Sequence, residues 1–316
     1  MRTHASIVIV GAGIAGCSAA YHLTQLGWKD ILVVDKGPLF ETGGSTSHAP
    51  GLIFQTNYSK LMTEFAKYTV NTLKPLTYQG EQCLYQVGGI EVATTPERWA
   101  ELKRKQGVAR AYGLEGHLLT PQEVRAHIPI LDERVIRGGY YVPTDADVRG
   151  WYCAAAMAEK AMATGGAEFA GNVTVETIDV QRGRARAVIT DQGIVACDHV
   201  LLCTNVWASV LADRVGLRFP IMGVEHQLVY TEPLAELAAD KARFVTHPIL
   251  RHQDYSLYYR QFYDAYGIGN YRHASMLLHG DSVGAKAERE FTPEHFTMAQ
   301  AASEELLPPL KGKRFT

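Results

Sequence analysis

Three glycines and one carboxylate near the start of the chain have the spacing that pyrophosphate and ribose binding require. Gly11, Gly13 and Gly16 form G-x-G-x-x-G inside "SIVIVGAGIAGCSAA", and Asp35 follows about twenty residues on. Gly11 suits a sharp turn, and Gly13 lets backbone N–H groups approach a pyrophosphate. Gly16 allows a helix to pack closely on a strand, and the N-terminus of that helix favours negative charge. The Asp35 carboxylate can accept from both hydroxyls of a ribose. The pattern points to an adenine dinucleotide and leaves NAD and FAD equally open.

Two further clusters carry chemistry. "GGSTSHAPG", residues 43–51, sets His48 in a run of small residues just past Asp35 and Lys36. In a doubly wound sheet this is the ligand-binding edge of the strands. Exposed N–H groups and the hydroxyls of Ser45 and Thr46 can run beside a cofactor there, with His48 facing its far end. Residues 219–272 are dense in tyrosine, and His226 reads as a mid-strand residue among apolar neighbours. A buried imidazole there is ordinarily a satisfied core group, yet it can also stay neutral and accept a proton. Aromatic faces can hold a cationic ammonium. Arg251 and Arg260 have the fork that suits a substrate carboxylate, although solvated strand-edge charge is the favoured reading for both.

The elements that must position these groups are readable. Ile7–Val10 and Ile31–Val34 are short apolar β-branched runs, as in strands buried on both faces. Between them Ala15, Ala19, Leu23 and Leu26 recur at helical spacing, with Gly27 as the stop. Thr95-Pro96 and Thr120-Pro121 are helix starts, the second with a capping box completed by Glu123. An alanine-rich helix is expected across "TDADVRGWYCAAAMAEKAMATGG". A β-meander then feeds a buried strand at Val200–Cys203 and a turn into a helix at Trp207. "YSLYYRQF" and "YGIGNYRH" read as a hairpin turning at Tyr263-Asp264-Ala265.

Composition excludes other classes. The 316 residues carry a net charge of -2, with no basic footprint for nucleic acid or a membrane surface. The five cysteines are spread along the chain without a C-x-x-C pair, against a disulfide framework or a zinc site. A reducing, cytoplasmic setting is expected, and the N-terminal apolar run lacks the basic flank of a signal peptide.

"GGSTSHAPGLIFQTN", with "FAKYTV", "CLYQVGGIEVATT" and "PILRHQDYSLYYR", resembles dimethylglycine oxidase and the sarcosine and dimethylglycine dehydrogenases, flavoproteins with a fold like D-amino-acid oxidase. The likeness runs along essentially the whole chain. It implies an α/β fold, with a Rossmann-type FAD-binding layer (1–85 and 140–215) and a β-rich substrate-binding layer (86–139 and 216–316). It implies FAD, attached covalently through His48 as in the family's S/T-x-H-A motif. It places Val173 at the adenine, Thr204 and Asn205 near the pyrophosphate with Trp207 following, and His226 and Tyr258 as the catalytic pair. It implies hydride removal from an N-methyl carbon and release of formaldehyde or its folate adduct. Such flavin domains continue for about another hundred residues, so the chain reads as truncated, with a further segment or a partner chain bearing a folate-binding domain. The rival readings are a non-catalytic flavin-binding protein and a nicotinamide-dependent dehydrogenase.

Overall fold

The computed structural model describes residues 1–41 and 43–315. The chain opens with strand β1 (His4–Val10), helix α1 (Ile14–Gln25) and strand β2 (Ile31–Val34). The two strands pair in parallel, Val10 opposite Val34, and their apolar residues are buried as the continuous hydrophobic runs demand. β1 also pairs in parallel with Gly193–Leu202, the last strand of an antiparallel meander formed with Val175–Gln181 and Arg184–Thr190. With Ala167–Ala170 on the far side of β2, the result is a six-stranded sheet.

α1 forms where expected, with its buried face shifted. Gly16, Cys17, Ala20 and Thr24 are buried and Ala19 and Leu23 pack partly buried against the same core, whereas Ala15 is exposed and Leu26 is 78% exposed. The partner surface explains the shift. α1 shares its core with the alanine-rich helix Gly150–Ala163, including Ala154, Ala158 and Ala161. Small residues let two helices approach closely, so packing volume overrides the leucine periodicity.

That second helix begins at Gly150, later than the expected stretch. Ala146–Val148 is a strand, paired with Leu52–Ile53 and Leu84–Tyr85 in a three-stranded sheet. Another correction concerns Val200–Cys203, expected to be fully buried. Leu201 is 39% exposed, and Leu202 and Cys203 are half-buried where the strand end opens onto a cleft.

A seven-stranded sheet is the other large layer. Its order is Gln227–Tyr230, Ala265–Asn270, Leu257–Phe262, Ile249–His252, Gly89–Ala93, Gly138–Val142 and His117–Leu119. The hairpin turns at Tyr263-Asp264, with Phe262 opposite Ala265 and Tyr263 at φ 56°. One face is sealed by the helix Thr297–Leu306 over Tyr259 and Tyr266, both fully buried. Pro96–Ala111 and Pro121–His127 start at their threonine caps, the second with both bonds of its capping box. Among the described residues no helix is long and apolar enough to cross a membrane.

Candidate functional site

A cleft of about 830 Å³ opens at the ends of β1 and β2. That is within the range of roughly 300–1,000 Å³ found for small-molecule and cofactor sites. The glycine motif forms its floor. Gly11 sits at φ 107°, a conformation suited to glycine, and its N–H donates to Val34 O at 2.7 Å. A Cβ on Gly16 would lie 1.9 Å from Gly11 O, so only glycine lets the helix seat on the turn. Gly13 caps α1 through its backbone. Of the first N–H groups, that of Ile14 donates to Thr46 Oγ1 at 2.9 Å. Those of Gly13, Ala15 and Gly16 have no acceptor among the described residues, which leaves a helix N-terminus ready for an anion.

Asp35 lines the cleft and organises it. Its carboxylate accepts from Ala12 N at 2.8 Å and from Gly37 N at 2.9 Å. A carboxylate has about four lone-pair positions, so capacity for hydroxyl donors remains. Val173, 2% exposed, donates its N–H to Asp35 O at 2.8 Å and also faces the cleft. On the opposite wall Asn205 Nδ2 donates to Ser45 Oγ at 2.9 Å, joining the Gly/Ser loop to the end of the meander. Thr204 Oγ1 is buried with no hydrogen-bond partner among the described residues. Lys36 Nζ lies 3.4 Å from the centre of the Trp207 ring and donates to Gly284 O at 3.1 Å, while Trp207 Nε1 donates to Val283 O at 3.0 Å. Burial draws the Lys36 ammonium below its ordinary pKa.

A second cluster lies on the seven-stranded sheet. Tyr258 and Arg260 project from one face of Leu257–Phe262, opposite Gly269 and Gly267 on the neighbouring strand. A Cβ on Gly269 would lie 1.7 Å from Tyr258 Cζ, so that glycine is what allows the ring to lie flat across the sheet. Tyr258 is 7% exposed, and burial, with Tyr271 beside it, pushes its phenol above the usual range. Tyr271 bridges to His226, with ring centroids 5.3 Å from Tyr258 and 4.5 Å from His226. His226 Nδ1 is 3.2 Å from His273 Nε2. Burial first and His273 second lower its pKa, which favours the neutral imidazole.

The two clusters are tied together by Arg260. Its Nη1 donates to Pro50 O at 2.5 Å, at the end of the His48 loop, and its Nη2 is 3.0 Å from Asp147 Oδ1. Burial pushes Asp147 up to about 8 against the opposite pull of Arg260.

Residues 6–315 match the family described as FAD dependent oxidoreductase. The chain belongs to that family. Mitochondrial sarcosine dehydrogenase of Mus musculus is 29% identical over 276 residues, 84% of this chain and 29% of that protein. Mitochondrial dimethylglycine dehydrogenase of Rattus norvegicus is 29% identical over 323 residues, 98% of this chain and 37% of that protein. The chain thus spans about a third of the length of these curated relatives. L-proline dehydrogenase from P. horikoshii superposes with a TM-score of 0.83 at 22% identity, over 100% of this chain and 80% of that one. At that identity the likeness is one of fold.

As an FAD dependent oxidoreductase the chain takes FAD, and the cleft fits it. Among the described residues the N–H groups of the first α1 turn and the Thr204 hydroxyl are donors without acceptors, as a pyrophosphate site needs. Gly11, Gly13, Asp35, Lys36, Ser45, Thr46, Val173, Thr204, Asn205 and Trp207 all line this space. Gly16 acts one layer behind it. His48 also stands outside the lining, on the short helical turn Ser45–His48, half-buried, with its Nε2 buried and unpartnered among the described residues. Burial lowers its pKa, Glu288 opposing and Lys286 assisting, so the ring is held toward its neutral, nucleophilic form.

Three expectations need correcting. His226 is exposed and stands in the break between Gly223–Glu225 and Gln227–Tyr230, where the ladder passes from one sheet to another. Arg260 is not solvated: it is 4% exposed, donates to Pro50 O and lies 3.0 Å from the Asp147 carboxylate. Arg251 lies over Phe54, 4.5 Å to the ring centre, and 3.6 Å from the buried Glu91. Tyr271 and His273 had no assigned role, though they stand in the quoted "NYRH". The 283–285 wall was also unassigned, and its signal was a second run of small residues, "GDSVGA".

Proposed function

We propose that the chain is the flavin domain of an oxidase or dehydrogenase of N-methylated glycine derivatives, dimethylglycine or sarcosine, giving the demethylated amine and formaldehyde. The observation that carries the reading is Tyr258 pinned over Gly269 and linked through Tyr271 to a neutral-biased His226, on the face whose Arg260 grips the His48 loop. The names of the relatives support the same substrate class.

FAD, when bound, supplies the two-electron acceptor for a hydride equivalent leaving the carbon beside nitrogen. The chain does the rest. His226 takes the ammonium proton, freeing the nitrogen lone pair whose donation allows the N-methyl C–H bond to break. Tyr258 keeps its proton and offers an O–H donor to fix the substrate, and Tyr271 walls the site with an aromatic face suited to a cation. Water then adds to the resulting iminium, and the adduct splits into amine and formaldehyde. The Ser45–His48 turn, with its unpartnered imidazole nitrogen, is the proposed point of covalent attachment.

The test is anaerobic addition of dimethylglycine or sarcosine to the purified flavoprotein. Bleaching of the visible flavin band with release of one formaldehyde per reduced flavin is expected. A flavin spectrum unmoved by either amine contradicts the reading. Acid precipitation decides the linkage, since a yellow pellet supports His48 attachment and free FAD in the supernatant refutes it.

A further inference from the structure

We propose that His273 is the positioning residue for His226: it locks the Nδ1–H tautomer and leaves Nε2 as the proton acceptor. The role of that acceptor rests on the amine-oxidation reading above. The tautomer itself follows from two contacts in series. His273 Nδ1 lies 2.7 Å from the carbonyl oxygen of Ala274. A carbonyl oxygen only accepts, so His273 carries its hydrogen on Nδ1. A neutral imidazole has one N–H, so His273 Nε2 is a lone pair. His226 Nδ1 is 3.2 Å from that lone pair, and the contact is a hydrogen bond when His226 bears its hydrogen on Nδ1. His226 Nε2 is then a bare acceptor, the state an amine proton requires.

The segment carrying His273 is held in place. Asn270, 2% exposed, donates through Nδ2 to His295 O at 2.9 Å and accepts from Arg272 N at 2.8 Å. Tyr271 N donates to Ser256 O at 3.2 Å. The titratable groups around the pair are Tyr271, edge-on to His226, with Tyr258 behind it, and His295, 5.8 Å from the His273 ring. Among the described residues no carboxylate bonds either ring, so the polarity of the pair is set by the Ala274 carbonyl.

The experiment uses the whole protein with isotope-labelled histidine, and reads by NMR which ring nitrogen of His226 carries hydrogen at about pH 8, above the ordinary imidazole range. His226→Gln identifies the signal. The unmutated protein should show hydrogen on Nδ1. His273→Gln should preserve it, because the glutamine carbonyl oxygen can accept where Nε2 did, and His273→Leu should lose it. In parallel, the rate of flavin reduction by dimethylglycine, per bound flavin, should fall about tenfold in His273→Leu and stay within about twofold in His273→Gln, part of what a positioned acid–base group contributes. Hydrogen on His226 Nε2 in the unmutated protein would overturn the proposal. So would a leucine variant with an unchanged tautomer or an unchanged rate. A flavin that no amine reduces refutes the proposed function instead, and the tautomer measurement still decides this inference.

Discussion

The six-stranded and seven-stranded sheets meet the same demand, a positioned ligand, by opposite means. The first presents backbone. Its recognition groups are N–H donors at a helix start, brought to the cleft because Gly11 and Gly16 let the turn and the helix pack against the backbone oxygens of Cys203 and Gly11. The second presents side chains. Tyr258, Tyr271 and His226 converge from a strand and two segments outside it, and glycine at 269 lets the Tyr258 ring lie flat. A backbone site is written in local sequence, whereas a side-chain site is written in long-range pairing. Loss of the first should therefore cost cofactor, and loss of the second should cost rate.

The largest effect that can break this contrast comes from two glycines of one motif. Gly16→Val drives a branched side chain into the backbone of Gly11, where even a Cβ would sit at 1.9 Å. Overpacking of this kind costs roughly 1–3 kcal/mol or more, and soluble, flavin-bearing protein should be lost together. Gly13→Val meets only the Thr46 hydroxyl, 3.0 Å from the added Cβ, so the chain should fold while its flavin content collapses. Full flavin occupancy in Gly13→Val would refute the anion site. Visible absorbance beside far-ultraviolet circular dichroism separates the two results.

Gly269→Ala makes the matching cut in the other sheet. Its methyl group needs the space of the Tyr258 ring, so the ring must move. Displacing a positioned group by about an ångström can cost up to ~10²-fold in rate. Flavin content should stay unchanged while the reduction rate falls, and the reverse outcome would undo the assignment of the two sheets.

A smaller effect sharpens the division. Burial and His273 lower the His226 pKa, so its active, neutral form persists as pH falls below the ordinary imidazole value of about 6.5. The reduction rate should decline only as pH drops through that lowered value, while flavin occupancy stays level. A limb that rises toward acid would mean that the imidazolium is the working form.

The smallest expected effect belongs to neither site. Thr120→Ala removes a capping box at Pro121–His127, and should cost about 1 kcal/mol in thermal or denaturant unfolding. Rate per bound flavin should not change.

The same contrast explains what the chain disclosed in advance. The glycine spacing, Asp35, the threonine caps and the hairpin depend on a few neighbouring residues, and each stands where local rules put it. The buried face of α1 followed Ala19 and Leu23 only in part and centred on Gly16, Cys17 and Ala20, because an alanine-rich partner far along the chain set the approach. Arg260 reads locally as an edge charge, yet Asp147, more than a hundred residues away, makes it an internal ion pair. His226 sits where the chain leaves one sheet for another, a break that alternating hydrophobicity does not mark. Tyr271 and His273 acquire meaning only once the hairpin is closed and His226 lies beside them.

The most direct test of the account measures flavin content and anaerobic reduction rate together in His226→Gln and Tyr258→Phe, with dimethylglycine or sarcosine as reductant. Both variants should retain the flavin of the unmutated protein, since neither residue lines the cleft. Their reduction rates per bound flavin should fall by roughly 10²–10⁴-fold, the contribution of positioned acid–base groups. Unchanged rates in both variants, or loss of flavin in step with rate, would contradict the separation of cofactor binding from amine chemistry.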